Sequence, residues 1–117
     1  MKKLASVFAG LLLCLSTTVF ADAESDKHSA QALQHANMAV EQGKAGKAPS
    51  LVEHAKAGLE HTVAAAITAK GVPLTHINAA SDSLTQAIDH GNLGHTEMAT
   101  KAAEQAVEHI KAATSSQ

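Results

Sequence analysis

Glu53–His61 reads EHAKAGLEH, two histidines seven residues apart, each preceded by a glutamate, with Leu59 two places before the second. Seven residues make about two helical turns, so on a helix both imidazoles lie on one face. The unit recurs in both directions along the chain. ALQH ends at His35, LVEH at His54, PLTH at His76, AIDH at His90, NLGH at His95 and AVEH at His109, each with Leu, Val or Ile two before the histidine. His28 stands seven residues before His35. Every histidine thus falls in one register of a helical heptad.

Placing the histidines at heptad position g assigns the other faces. Position a holds Ala36, Ala55, Ile77, Leu84, Ala103 and Ile110. Position d holds Ala32, Ala39, Gly58, Ala65, Ala80, Ala87 and Ala106. The bulkier residues Leu33, Val40, Val52, Leu59, Ile88, Leu93 and Val107 stand at e. An a/d/e stripe about 100° wide is a core-facing helix surface. Its small a and d residues predict close helix approach over a thin core, with the histidines where core meets water.

Punctuation divides the chain into four helices, at about 24–42, 50–70, 73–90 and 93–114. Gly43 to Gly46 ends the first, because glycine is favoured just past a helix end. Ser50 and Glu53 have the spacing of a capping box for the second. Lys70-Gly71 ends it, Pro73 suits the first turn of the third, His90-Gly91 closes that, and Asn92 is positioned to cap the fourth. Short loops make neighbouring helices antiparallel. The expectation is an all-α, antiparallel up-down-up-down four-helix bundle.

The bundle occupies residues 22–117, because residues 1–21 have the features of an export signal. Lys2 and Lys3 are followed by an apolar run from Leu4 to Phe20 and by Val19-Phe20-Ala21, a small-residue cleavage pattern. Cleavage is expected after Ala21, with Ala23 the alternative, leaving a periplasmic protein with no membrane anchor. Cys14 lies inside this segment, and Leu13 before it is too large for a lipoprotein signal. The mature protein therefore has no cysteine, which removes disulfides, thiolate metal sites and covalent haem. Both phenylalanines leave as well. The remaining 96 residues, 117 less 21, carry seven Lys and no Arg against eleven Asp and Glu. Without a basic patch or stacking platform, nucleic acid is not an expected partner.

The histidines point to metal ions. Two on one helix, about 10.5 Å apart along the axis, cannot share an ion through bonds of about 2 Å. Partners must come from neighbouring helices. In a regular bundle His54, His90 and His95 gather at one end, His28, His76 and His109 at the other, and His35 and His61 near the middle. His90 and His95, joined by a tight turn and flanked by Asp89 and Glu97, are the leading local pair. Glu24 and His28 have the i, i+4 spacing of a chelate. Met38 and Met98, each three residues after a histidine, add possible thioether donors for Cu(I). Glu53, Glu60, Asp89 and Glu108 are read chiefly as solvated face, with Glu60 and Lys56 spaced for an ion pair.

The runs HSAQALQHANMAVEQGKAG, His28–Gly46, and SLVEHAKAGLEH, Ser50–His61, resemble the periplasmic small metal-binding protein family. The resemblance covers nearly the whole mature chain. It implies an exported four-helix bundle that binds several divalent metals, copper above all, and buffers or sequesters copper. The chain departs from the pattern where heptad slots hold Gln42, Thr68, Ser83 and Ala102, and where Lys47 stands in the first connection.

Imidazole with carboxylate and no thiolate favours borderline divalent ions. The affinity order for first-row metals places Cu(II) first, with Ni(II) and Zn(II) as alternatives. A monomer is expected, with a metal-bridged dimer as the alternative assembly. An acid-responsive, chaperone-like bundle switched by histidine protonation is the competing function. Enzymatic activity is not expected, since a thin alanine core offers no dry cavity for a positioned acid or base.

Overall fold

A computed structural model describes the backbone of residues 2–116 and the side chains of residues 23–116. The expected export signal, 1–21, lies outside the residues whose side chains are described. Four helices follow one another: α1 Lys2–Lys44, α2 Ala48–Thr68, α3 Gly71–Asn92 and α4 Thr96–Ser115. Each packs on its neighbours in sequence, and α1 closes the ring against α4, while α2 and α4 barely touch across the diagonal. This is the expected all-α, up-down-up-down four-helix bundle, without strands among the described residues.

The heptad assignment describes the core closely. Every residue assigned to a or d is buried. Among the described residues the fully buried large side chains are few: Leu51, Ile77, Leu84 and Ile110. Between them, alanines bring the helix backbones together. Small polar groups complete the interior near the α2–α3 end, where the Ser81 and Thr62 hydroxyls lie 2.8 Å apart and Thr62 donates to the Leu59 carbonyl at 3.0 Å.

Three local expectations are corrected. The capping box at Ser50 does not form: α2 begins at Ala48, its N-cap is Lys47, and no side chain caps it. Pro49 explains the earlier start, because proline's fixed φ suits a first turn and leaves Ser50 already inside the helix. Asn92 does not cap α4 either, being the last residue of α3, while His95 is the N-cap of α4. Leu93, assigned to the apolar stripe, sits in the α3–α4 turn and is 69% exposed.

The two hairpins repeat one design. QGKAGK, 42–47, and HGNLGH, 90–95, occupy matching turns 48 residues apart, 90 less 42. In the first, the Lys47 amide donates to the Gln42 carbonyl at 2.8 Å and the Gly46 amide to the Gly43 carbonyl at 3.0 Å. In the second, His95 donates to His90 at 2.8 Å and Gly94 to Gly91 at 3.1 Å. Both turns need a left-handed residue, supplied by Gly46 at φ 74° and Gly94 at φ 77°.

The hairpins also interlock through matching contacts. A β-carbon on Gly43 would collide with Thr100 and Leu51, and one on Gly91 would collide with Val52. Thr100 and Val52 are themselves 48 residues apart, so each hairpin inserts the same position into the other's glycine gap. The contact is that of a pseudo-two-fold axis between two related halves.

Candidate metal centre

Antiparallel pairing turns the heptad histidines into rungs. Along the α1–α2 seam the imidazoles follow the order His28, His61, His35, His54, drawn alternately from α1 and α2. Successive ring centres are 5.5, 5.6 and 5.8 Å apart. Four histidines thus form one continuous ladder of three neighbouring pairs. All four are half-buried, as expected of the boundary position they occupy.

The His28–His61 pair has the clearest ligand geometry. Its two Nδ1 atoms lie 3.3 Å apart, between ring centres 5.5 Å apart, so the nitrogens face one another. Two nitrogens bound at about 2.0–2.1 Å to one ion in tetrahedral geometry would stand roughly 3.3 Å apart. The metal-free pair satisfies itself when one Nδ1–H donates to the other, unprotonated Nδ1. One rung further, His35 Nδ1 is buried with no hydrogen-bond partner. A buried polar atom without a partner is uncommon and asks for one.

The α3–α4 seam has two separate pairs, His76 with His109 and His90 with His95, each with ring centres 5.9 Å apart. The repeat explains the gap. His76 and His109 match His28 and His61, but the counterparts of His35 and His54 are Ser83 and Ala102, both buried. Conversely, Gln42 and Lys47 stand where the second hairpin has His90 and His95. The hydrogen bond from the His95 amide to the His90 carbonyl holds that pair together across the turn. His90 Nδ1, like that of His35, is buried without a partner, whereas His95 is exposed.

Other candidate ligands fall outside these pairs. Glu24, Asp89 and Glu97 are exposed, and Glu97 lies 3.8 Å from Lys101 as an ion pair. The described residues include no carboxylate within 4.0 Å of a histidine nitrogen, Glu24 and His28 included. The spacing-based ion pair between Glu60 and Lys56 is likewise absent; the second pair formed is Lys44–Glu104, at 3.7 Å. The grouping by bundle ends put His28, His76 and His109 at one end and His61 near the middle; His76 and His109 are neighbours, and His61, nearer the end than expected, is the neighbour of His28. Among the described residues, no three His, Cys, Asp or Glu side chains converge on one point. Each candidate site therefore offers two imidazoles, leaving further positions to water or other donors.

Crowding along the ladder affects protonation. The His61 imidazole is held below its ordinary value of 6.5 by burial first, then by charge on His28 and His35, with Glu60 opposing. The unfolded chain consequently takes up this proton before the folded one. The group costs the fold nothing above about pH 6.5 and removes stability as the pH falls from there through the lowered folded value. In metal-free protein, an NMR titration of the His61 ring should give a midpoint below 6.5 that rises in His28→Ala. A midpoint at or above 6.5 would contradict the crowding.

A family model described as small metal-binding protein matches residues 1–113. No curated protein matches the chain.

Proposed function

The chain belongs to the small metal-binding protein family, and from that premise we propose that it buffers divalent transition metals in the periplasm, chiefly Cu(II), without catalysing a reaction. The observation that carries this reading is the four-imidazole ladder of the α1–α2 seam, with its facing Nδ1 atoms 3.3 Å apart. Neutral imidazole suits Cu(II), Ni(II) and Zn(II), and Cu(II) stands highest in the affinity order. The signal-like residues 1–21 support export. Half-exposed sites with two protein ligands leave room for ligand exchange, which suits reversible buffering better than permanent storage.

Metal and proton compete for the same nitrogens, so binding should weaken as the pH falls below about 6.5, where an ordinary histidine becomes charged. At neutral pH a saturating ion raises the melting midpoint by linkage, by about 2.7 kcal/mol of stability at 100 times its dissociation constant. Thermal melts at pH 7.5 with and without Cu(II) or Zn(II) check this. A midpoint unmoved by either ion would refute the reading.

The lowered pKa of His61 supports a second reading, an acid-responsive bundle. Protonating the ladder places like charges on rings 5.5–5.8 Å apart and loosens the α1–α2 seam. A metal-free protein that ignores Cu(II) but unfolds between pH 7 and 5 would favour this reading over metal buffering.

A further inference from the structure

We propose that His90, His95 and Met98 form a separate site for a soft monovalent d10 ion, Cu(I) or Ag(I), at the α3–α4 turn. The inference rests on the reading that the imidazole pairs bind metal and assigns this pair a different class of ion.

Three observations converge on the turn. The backbone bond from His95 to His90 fixes the two residues side by side, with ring centres 5.9 Å apart. His90 Nδ1 is buried and unpartnered. Met98, in the first turn of α4, lines the same groove as His90, an opening of about 160 Å3; His95 does not border the groove and joins the set through its pairing with His90. The groove is open to solvent, with room for an ion and water beside it. Lys101 also borders the groove, but its ammonium group pairs with Glu97 at 3.8 Å.

Met98 has no packing role that explains its position. It is 53% exposed, whereas Met38 is half-buried on α1. Like every rung of the ladder, the turn offers two imidazoles and no third His, Asp or Glu; what sets it apart is the thioether in the groove beside His90. A thioether is a poor ligand for Zn(II) or Cu(II) but a good one for Cu(I) and its congener Ag(I). These ions are satisfied by two or three soft or borderline donors, which is the set the turn supplies. The ladder, built from imidazole alone, remains the divalent seam.

Silver(I) is the test ion because it binds without redox chemistry. The parent protein carries Cys14→Ser so that its lone thiol does not compete. With the methionine methyl groups labelled with carbon-13, the Met98 signal should move with the first equivalent of Ag(I). Met98→Leu should weaken the tightest Ag(I) site about tenfold, ~1.4 kcal/mol, while Zn(II) stoichiometry and the circular dichroism spectrum stay unchanged. Met38→Leu should leave that site intact.

A stationary Met98 methyl, or equal Ag(I) affinity in Met98→Leu and parent, overturns the proposal. So does a greater loss from Met38→Leu than from Met98→Leu. Zn(II) binding without any Ag(I) binding overturns the soft site alone, whereas failure to bind either ion overturns the metal-buffering reading with it.

Discussion

His35→Ala combined with His61→Ala should remove metal binding from the α1–α2 seam, weakening it at least about 100-fold, ~2.7 kcal/mol. The same number of imidazoles removed from the ladder's ends, in His28→Ala with His54→Ala, should leave one ion bound. The contrast follows from the order of the rungs. Every neighbouring pair in the ladder contains His35 or His61, so the interior double substitution breaks all three. The end substitutions break two and leave His35 beside His61, 5.6 Å apart between ring centres. Calorimetric titration with Zn(II), in a background of His76→Ala and His90→Ala to silence the other hairpin, reads the seam directly. Equal binding by the two double variants would show that the ions do not use neighbouring pairs.

Alanine at Gly43 should produce the largest loss of stability. Within a helix, replacing glycine by alanine ordinarily gains roughly 0.5–1 kcal/mol. Here the added methyl meets the Thr100 hydroxyl and the Leu51 side chain, and overpacking of this kind costs about 1–3 kcal/mol. The clash should win, because the Thr100 hydroxyl is also held by donation to the Thr96 carbonyl at 2.7 Å. A chain of this size loses about 4–8 °C of melting midpoint per kcal/mol, so thermal melts should resolve the effect. Thr100→Ala in the Gly43→Ala background should restore part of the loss, since it removes the nearest atom. A double-mutant cycle without coupling would place the steric conflict elsewhere.

The fold was legible because burial follows a single period. Ala36, Ala55, Ala80 and Ala103, assigned to the interior from their distance to the nearest histidine, are all fully buried. Pairing was less accessible, because a heptad fixes spacing along one helix and says nothing about the height of its neighbour. That height is set by the glycine-terminated turns, whose geometry brings residue 42 beside 47 and residue 90 beside 95. The 48-residue repeat would have revealed this, but the matching positions differ in chemistry: Gln42 and Lys47 against His90 and His95, Ser83 and Ala102 against His35 and His54. Helix starts failed where Ser50 and Asn92 offered good caps and the tight turns left no room to use them. Met98 was legible as a spacing, but its exposure and its groove arise only when α3 packs against α4.

The ladder's even number of rungs has a kinetic consequence. Four imidazoles taken two at a time resemble a strip of four squares covered by dominoes. Two ions fit when they occupy His28–His61 and His35–His54. A first ion that settles on His35–His61 strands a single imidazole at each end and blocks the second ion until it moves one place. Because that move would exchange one imidazole while the other keeps hold, an ion bound there would travel along the seam without being released. Loading of the α1–α2 hairpin should therefore show a fast phase followed by a slower rearrangement, whereas the separated pairs of α3–α4, which share no ligand, should each fill in a single step.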